Sequence, residues 1–181
     1  MNDKMPEAPE PVQDESSDVS ALELEENRIQ VLGFFVADHA ATESGKLYIN
    51  GGCFSTIFAH SFPTNHPSIG LAAIVHIPWR EYQRDHTFRI TLMSPEDREL
   101  DFKVEGQFRV GASPEMRLGD PTVMPIAVNA NAVRLETPGH YKFVFAVDDK
   151  PLAFWRFGAQ QTFLVPGIPA PPGMIPPPAG G

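Results

Sequence analysis

Six histidines, His39, His60, His66, His76, His86 and His140, are the side chains best suited to metal binding or proton transfer near neutral pH. His39 and His86 each follow an acid, as Asp38-His39 and Asp85-His86, and a hydrolase gathering these four around an ion is the chemistry they would support. Successive residues of a strand project to opposite faces, so neither pair can ligate one ion within a strand. Each pair falls at the end of an apolar run, where a turn role is sufficient. His60 and His66 lie close in sequence, yet no set of ligands has the tight intervals of zinc or iron sites. His76 falls on the second face of a central strand, and His140 in a solvated turn. No catalytic residue, metal ligand or cofactor is assigned.

Nucleophiles and paired carboxylates fare no better. Cys53 follows Gly51-Gly52 and opens an apolar run, the setting of a small buried hydrophobe rather than a thiolate. The serines lack the strained strand-to-helix turn of a hydrolase, and no glycine-rich loop leads into a helix to cradle phosphate. Glu96-Asp97, Asp101, Glu105 and Asp148-Asp149 could in principle act as glycosidic acid and base, but they fall on turn tips or water-facing strand positions. Trp79, Tyr82, Trp155 and Phe157 are a more suggestive set, since exposed rings on a sheet stack sugars or seat a partner protein. Trp155 and Phe157 share one parity and Phe154 takes the other, so one of the two must face away from the core.

These residues ride on strands. Leu100 to Val110 alternates apolar or glycine residues with polar ones, a period of two that turns one face to a core and the other to water. Ile69 to Ile77, Phe88 to Leu92 and Tyr141 to Val147 repeat the pattern. Val31 to Ala37 is apolar on both parities, as in a central strand covered on both sides or an interface strand. Lys46–Asn50, Cys53–Phe58, Thr122–Val128 and Leu152–Val165 complete about eight or nine strands, separated by turn sequences such as Ser44-Gly45 and Asp148-Asp149. Residues 78–83 could form one helical turn. The predicted fold is all-β, a two-sheet antiparallel sandwich, immunoglobulin-like or another Greek key. Pro138-Gly139-His140-Tyr141 opens an alternating strand where immunoglobulin-like domains place a corner tyrosine.

Outside residues 29–165 the composition changes. Residues 1–28 hold nine acids against Lys4 and Arg28 and read as an acidic disordered tail; the remainder is close to neutral in a chain of net charge -9. Without a basic run there is no footprint for nucleic acid. Residues 166–181 contain seven prolines and four glycines, and read as a flexible tail. There, Pro171-Pro172 and Pro176-Pro177-Pro178 could enter an aromatic groove on another protein. A single cysteine excludes an intramolecular disulfide, no stretch is apolar enough to cross a membrane, and the acidic start is unlike a secretory signal. These features predict a soluble cytoplasmic protein.

Gly33-Phe34-Phe35-Val36-Ala37-Asp38, Gly45-Lys46-Leu47, Gly51-Gly52, Ile77-Pro78-Trp79, Arg84 to Arg89 and Pro138 to Tyr141, in that order, give the chain a likeness. It resembles a family of small, largely actinobacterial proteins known only as a domain of unknown function, over about residues 31–157. The resemblance implies an all-β domain and brings no activity, cofactor or catalytic residue. The expectation is a non-catalytic interaction or assembly module that binds a protein partner or its own copies. A carbohydrate or small-ligand binding sandwich is the alternative, and a metal-dependent hydrolase a further one.

Overall fold

The computed structural model describes residues 27–112 and 116–162. Of the expected tails only residues 27 and 28 fall within the described residues, and the last three positions of the expected domain, 163–165, fall outside them. Ten strands are present among the described residues: β1 Gln30–Ala37, β2 His39–Glu43, β3 Lys46–Asn50, β4 Thr56–Ala59, β5 Thr64–Ile77, β6 Asp85–Met93, β7 Glu99–Arg109, β8 Thr122–Leu135, β9 Gly139–Val147 and β10 Lys150–Gln161. The one helical element among them is the 3-10 turn Trp79–Glu81, so no helix there is long and apolar enough to cross a membrane.

A three-stranded sheet in the order β1-β5-β8 faces a five-stranded sheet in the order β4-β10-β9-β6-β7. Alternation sends Ile69, Leu71, Ala73, Val75 and Ile77 of β5 and Tyr141, Phe143, Phe145 and Val147 of β9 into one shared core. Phe34 of β1 meets Phe145 across the sheets at 5.5 Å. Both strands forming the β9–β10 hairpin are fixed by Asp148 and Asp149 at φ 47° and 62°, the paired left-handed conformation that matches strand twist in a two-residue turn. The all-β sandwich read from the sequence is the fold observed.

Tyr141 occupies the expected corner. Its hydroxyl donates to the Thr137 carbonyl at 2.7 Å and accepts the Thr137 N–H at 3.1 Å, closing the β8–β9 connection from inside the core.

Four details differ from the sequence expectation. β2 is an additional strand: it forms a separate hairpin with β3 around Ser44-Gly45, and its short, mostly exposed sequence carries little apolar alternation. β4 runs parallel to β10, so the larger sheet is not wholly antiparallel. β1 is an edge strand rather than a central one. Its two-sided apolarity arises because Phe34 and Val36 enter the core while Phe35 leans on Trp155 at 6.5 Å. Cys53 is exposed instead of buried, because the chain passes it at φ 66° before β4 begins, with its N–H held by the Val36 carbonyl at 2.9 Å.

Candidate functional site

The four polar candidates do not converge. Asp38 and His39 are both exposed at the end of β1 opposite Ile29, and Ile29 lines the cleft that contains His86. Asp85 is also exposed and turns toward Arg109, 3.8 Å away. His86 is buried, 5% exposed, with its ring stacked on Phe108 at 5.3 Å. This is the strand rule applied at Asp85-His86: one side chain faces water, the next faces in.

The acid that meets His86 comes from the β9–β10 turn. Asp148 Oδ2 lies 2.7 Å from His86 Nδ1, and Asp148 Oδ1 accepts the Thr87 N–H at 2.9 Å. Partial burial raises the Asp148 pKa, but the hydrogen bonds from His86 and Thr87 outweigh it and hold the carboxyl below its ordinary value. On the other side of the ring, Nε2 is 3.4 Å from the Glu81 carbonyl and 3.7 Å from its carboxylate. Arg84 pairs with the same carboxylate at 3.1 Å. These groups open on a cleft of about 500 Å³ whose lining includes Arg28, Ile29, Lys150 and Leu152. Both ring nitrogens face protein acceptors, Nδ1 closely and Nε2 at the long end of hydrogen-bond distance. Chemically the cluster is a clamp joining the 3-10 turn to the β9–β10 turn. The sequence placed Asp148 among solvated turn acids, and only the long-range pairing of β6 with β9 reveals its partner.

A second histidine stands near Asp38. His66 is half-buried and stacks on Phe54 at 6.4 Å, with Nδ1 lacking a hydrogen-bond partner. Burial lowers its pKa, against the opposing pull of Ser68 and Asp38. Among the described residues no group of three or more histidine, cysteine or acidic side chains is arranged to hold a metal ion.

The aromatic candidates are turned inward. Tyr82 is 8% exposed and Phe157 1%; Tyr82 packs at a tilt against Trp79, with centroids 4.7 Å apart, and donates to the Asp120 carbonyl at 3.3 Å. Phe157 lies between Tyr141 and Phe143, with centroids 5.7 and 5.4 Å away. Trp79 and Trp155 pack against the core, and the Trp155 indole donates to the Phe54 carbonyl at 3.2 Å. Of this set, Tyr82 and Phe157 are buried and Trp79 and Trp155 half-buried against the core, so none stands out from the surface as a fully exposed ring.

The opposite parity of β10 faces outward. Phe154 is 55% exposed, with the Arg156 guanidinium 4.9 Å above its ring. Register places Phe154 beside Val144 of β9 and Val144 beside the buried Thr91 of β6, a row across three strands. Together with Met93, Ala146 and Leu152 this row floors a groove of about 730 Å³, rimmed by Arg89, Glu99 and Lys142. Lys142 is in turn paired with Asp97 at 2.9 Å, which lowers the Asp97 pKa, and Arg89 with Asp149 at 3.0 Å. The parity argument at Phe154 was the one sequence signal for this face.

Comparison with solved structures finds likeness to the alkylpurine DNA glycosylase AlkC of Pseudomonas fluorescens bound to DNA containing an abasic site analogue. Identity is 13% and the TM-score 0.41, over 77% of this chain and 32% of the glycosylase. This chain therefore spans about a third of that protein's length. An immunoglobulin-like protein from Pseudomonas aeruginosa is 12% identical over 75% of this chain and 98% of its own, with a TM-score of 0.38. At these scores neither likeness bears on function. A comparison with curated proteins finds no match. Residues 32–159, well over half of the sequence, match the model of a family of unknown function, and the chain belongs to that family, DUF6941.

Proposed function

We propose that this domain is a non-catalytic interaction module of the cytoplasm that receives a protein partner, or its own copies, on the outer face of the five-stranded sheet. The observation that carries this reading is the row Phe154–Val144–Thr91, which places an exposed ring over an apolar groove between charged rims. An anchor ring in such a setting, ringed by polar groups, is how binding faces are usually built. The alternatives are less favoured by the same geometry. Sugar stacking would need the rings of Trp79, Tyr82 and Trp155, which pack inward, and hydrolysis would need a free nitrogen on His86, whose two nitrogens face Asp148 and Glu81. A lone exposed thiol at Cys53 suits a reducing compartment.

The experiment compares the size of the native assembly in cell extract for the natural chain and for Phe154→Asp. The expected outcome is an assembly larger than the monomer that collapses to monomer size in the variant, with the melting temperature unchanged. A monomer in both, or an assembly indifferent to the substitution, overturns the reading.

A further inference from the structure

We propose that two copies of this chain join edge to edge through β7, antiparallel, about a two-fold axis at Val104. The inference stands apart from the reading of the outer face and draws on a different strand.

Open backbone is the first reason. Among the described residues β7, Glu99–Arg109, pairs with β6 alone, so one flank of its eleven-residue backbone meets no neighbouring strand. Folded proteins usually shorten or cover such an edge, because its N–H and C=O groups accept another strand. The inner parity of β7 is unfinished in the same sense. Leu100, Phe102, Val104 and Phe108 pack against the core but stay half-buried, whereas Phe143 and Phe145, central in the same sheet, are 0% exposed. An adjoining strand would cover that parity.

Charge is the second reason, and it selects the occupant. The water-facing row of β7 reads Glu99, Asp101, Lys103, Glu105, Gln107, Arg109, all exposed. Directly opposed residues of paired strands share a face, so in a symmetric pair odd positions meet odd. With Val104 opposite its counterpart, Glu99 meets Arg109, Asp101 meets Gln107 and Lys103 meets Glu105, each twice, and no like charges oppose. Moving the axis to residue 103 sets Lys103 against itself and Asp101 against Glu105; moving it to 105 sets Glu105 against itself. Lys103 already reaches Glu105 of its own chain at 2.6 Å, so four alternating charges gather at the axis. Arg109 is 3.8 Å from Asp85 and bonds Gln83 at 3.2 Å, which leaves it able to take up Glu99 of the other copy. On the inner parity Leu100 meets Phe108 and Phe102 meets Gly106, so no two rings oppose. Between Thr91 opposite Lys103 and Met93 opposite Glu99, β7 runs four residues to the two of β6. The surplus is even, so Glu99 and Asp101 keep the water-facing parity, and the axis residues lie outside the bulge. Exposed ion pairs are individually weak and two strand edges bury little area, which places the dimer in the micromolar range.

Sedimentation equilibrium of the purified full chain across micromolar concentrations tests this. The natural chain should pass from monomer to dimer. Lys103→Glu alone, or Glu105→Lys alone, sets like charges across the axis twice and should weaken the dimer by about tenfold or more. Mixing the two single variants should restore it, because the acidic pair of one then faces the basic pair of the other, and so should the double variant on its own. Both positions are exposed, so melting temperatures should not change. Amide exchange along β7 should slow as concentration rises. A natural chain that stays monomeric overturns the proposal. So do single variants that dimerise as the natural chain does, a mixture that fails to pair, or β7 protection independent of concentration, which would show the edge covered from within the chain. The two readings fail separately. The purified dimer should survive Phe154→Asp, and its loss in that variant would move the contact from the edge to the outer face. In dilute extract the edge dimer dissociates, so an assembly there that Phe154→Asp dissolves keeps the outer-face reading whatever becomes of β7.

Discussion

Tyr141, His66 and Asp148 each show a polar group whose environment decides its worth. The Tyr141 hydroxyl makes two hydrogen bonds to Thr137 while 1% of the residue is exposed. Tyr141→Phe leaves the Thr137 backbone groups without that partner, and a loss of about 1–3 kcal/mol in urea denaturation is expected. His66 has its pKa lowered by burial, so the unfolded chain binds a proton more readily than the folded one. Stability should fall as the pH drops below the ordinary histidine value of 6.5 and level off below the folded value. His66→Phe should flatten that stretch of the stability curve. Asp148 is also depressed, and its contribution is complete above the ordinary value of 3.8 and lost as the pH falls through the lower folded value. Asp148→Asn should cost about 1 kcal/mol at neutral pH, since the carboxylate is half-exposed and screened, and should weaken the acid dependence. An unaltered acid transition would show that the His86 clamp contributes nothing.

At the scale of elements, the β2–β3 hairpin depends on close approach and on one amide. Gly70 of β5 lies directly under β2, where a Cβ would stand 2.7 Å from the Ala40 nitrogen and the His39 carbonyl carbon. Asn129 of β8 accepts the Ala40 N–H at 3.0 Å and donates to the Ala40 carbonyl at 2.8 Å, standing in for a neighbouring strand. Gly70→Ala is expected to destabilise by about 1–3 kcal/mol, because the obstacle is backbone and cannot rotate away; hydrogen exchange should show β2 and β3 opening first. Alternation made β5, β6, β7 and β9 legible in the sequence, since each has one face in the core and a strict period of two expresses that. β2 was not legible, because it is held by Gly70 and Asn129 on other strands rather than by its own apolar pattern. Parity also announced that Phe154 and Trp155 must part company. Which of them faces out depends on the pairing of β10 with β9, a contact between strands that local spacing does not encode. The partnership of His86 with Asp148, 62 residues apart, was hidden for the same reason.

For the whole molecule, the sandwich keeps most of its large rings inside and leaves Phe154 exposed on the outer face of the five-stranded sheet. Phe154→Asp should therefore leave folding nearly untouched, within about 0.5 kcal/mol, as for other exposed positions. Phe157→Ala on the opposite parity should cost about 3–5 kcal/mol. The contrast between two positions three residues apart separates the exposed face from the core that supports it. The most direct measurement places a photoreactive amino acid at position 154 of the full-length chain in living cells, with position 123 on the opposite sheet as the control. Covalent capture of a protein from position 154, and not from position 123, is the predicted result; equal capture from both sites, or none from 154, would contradict the assignment of this face.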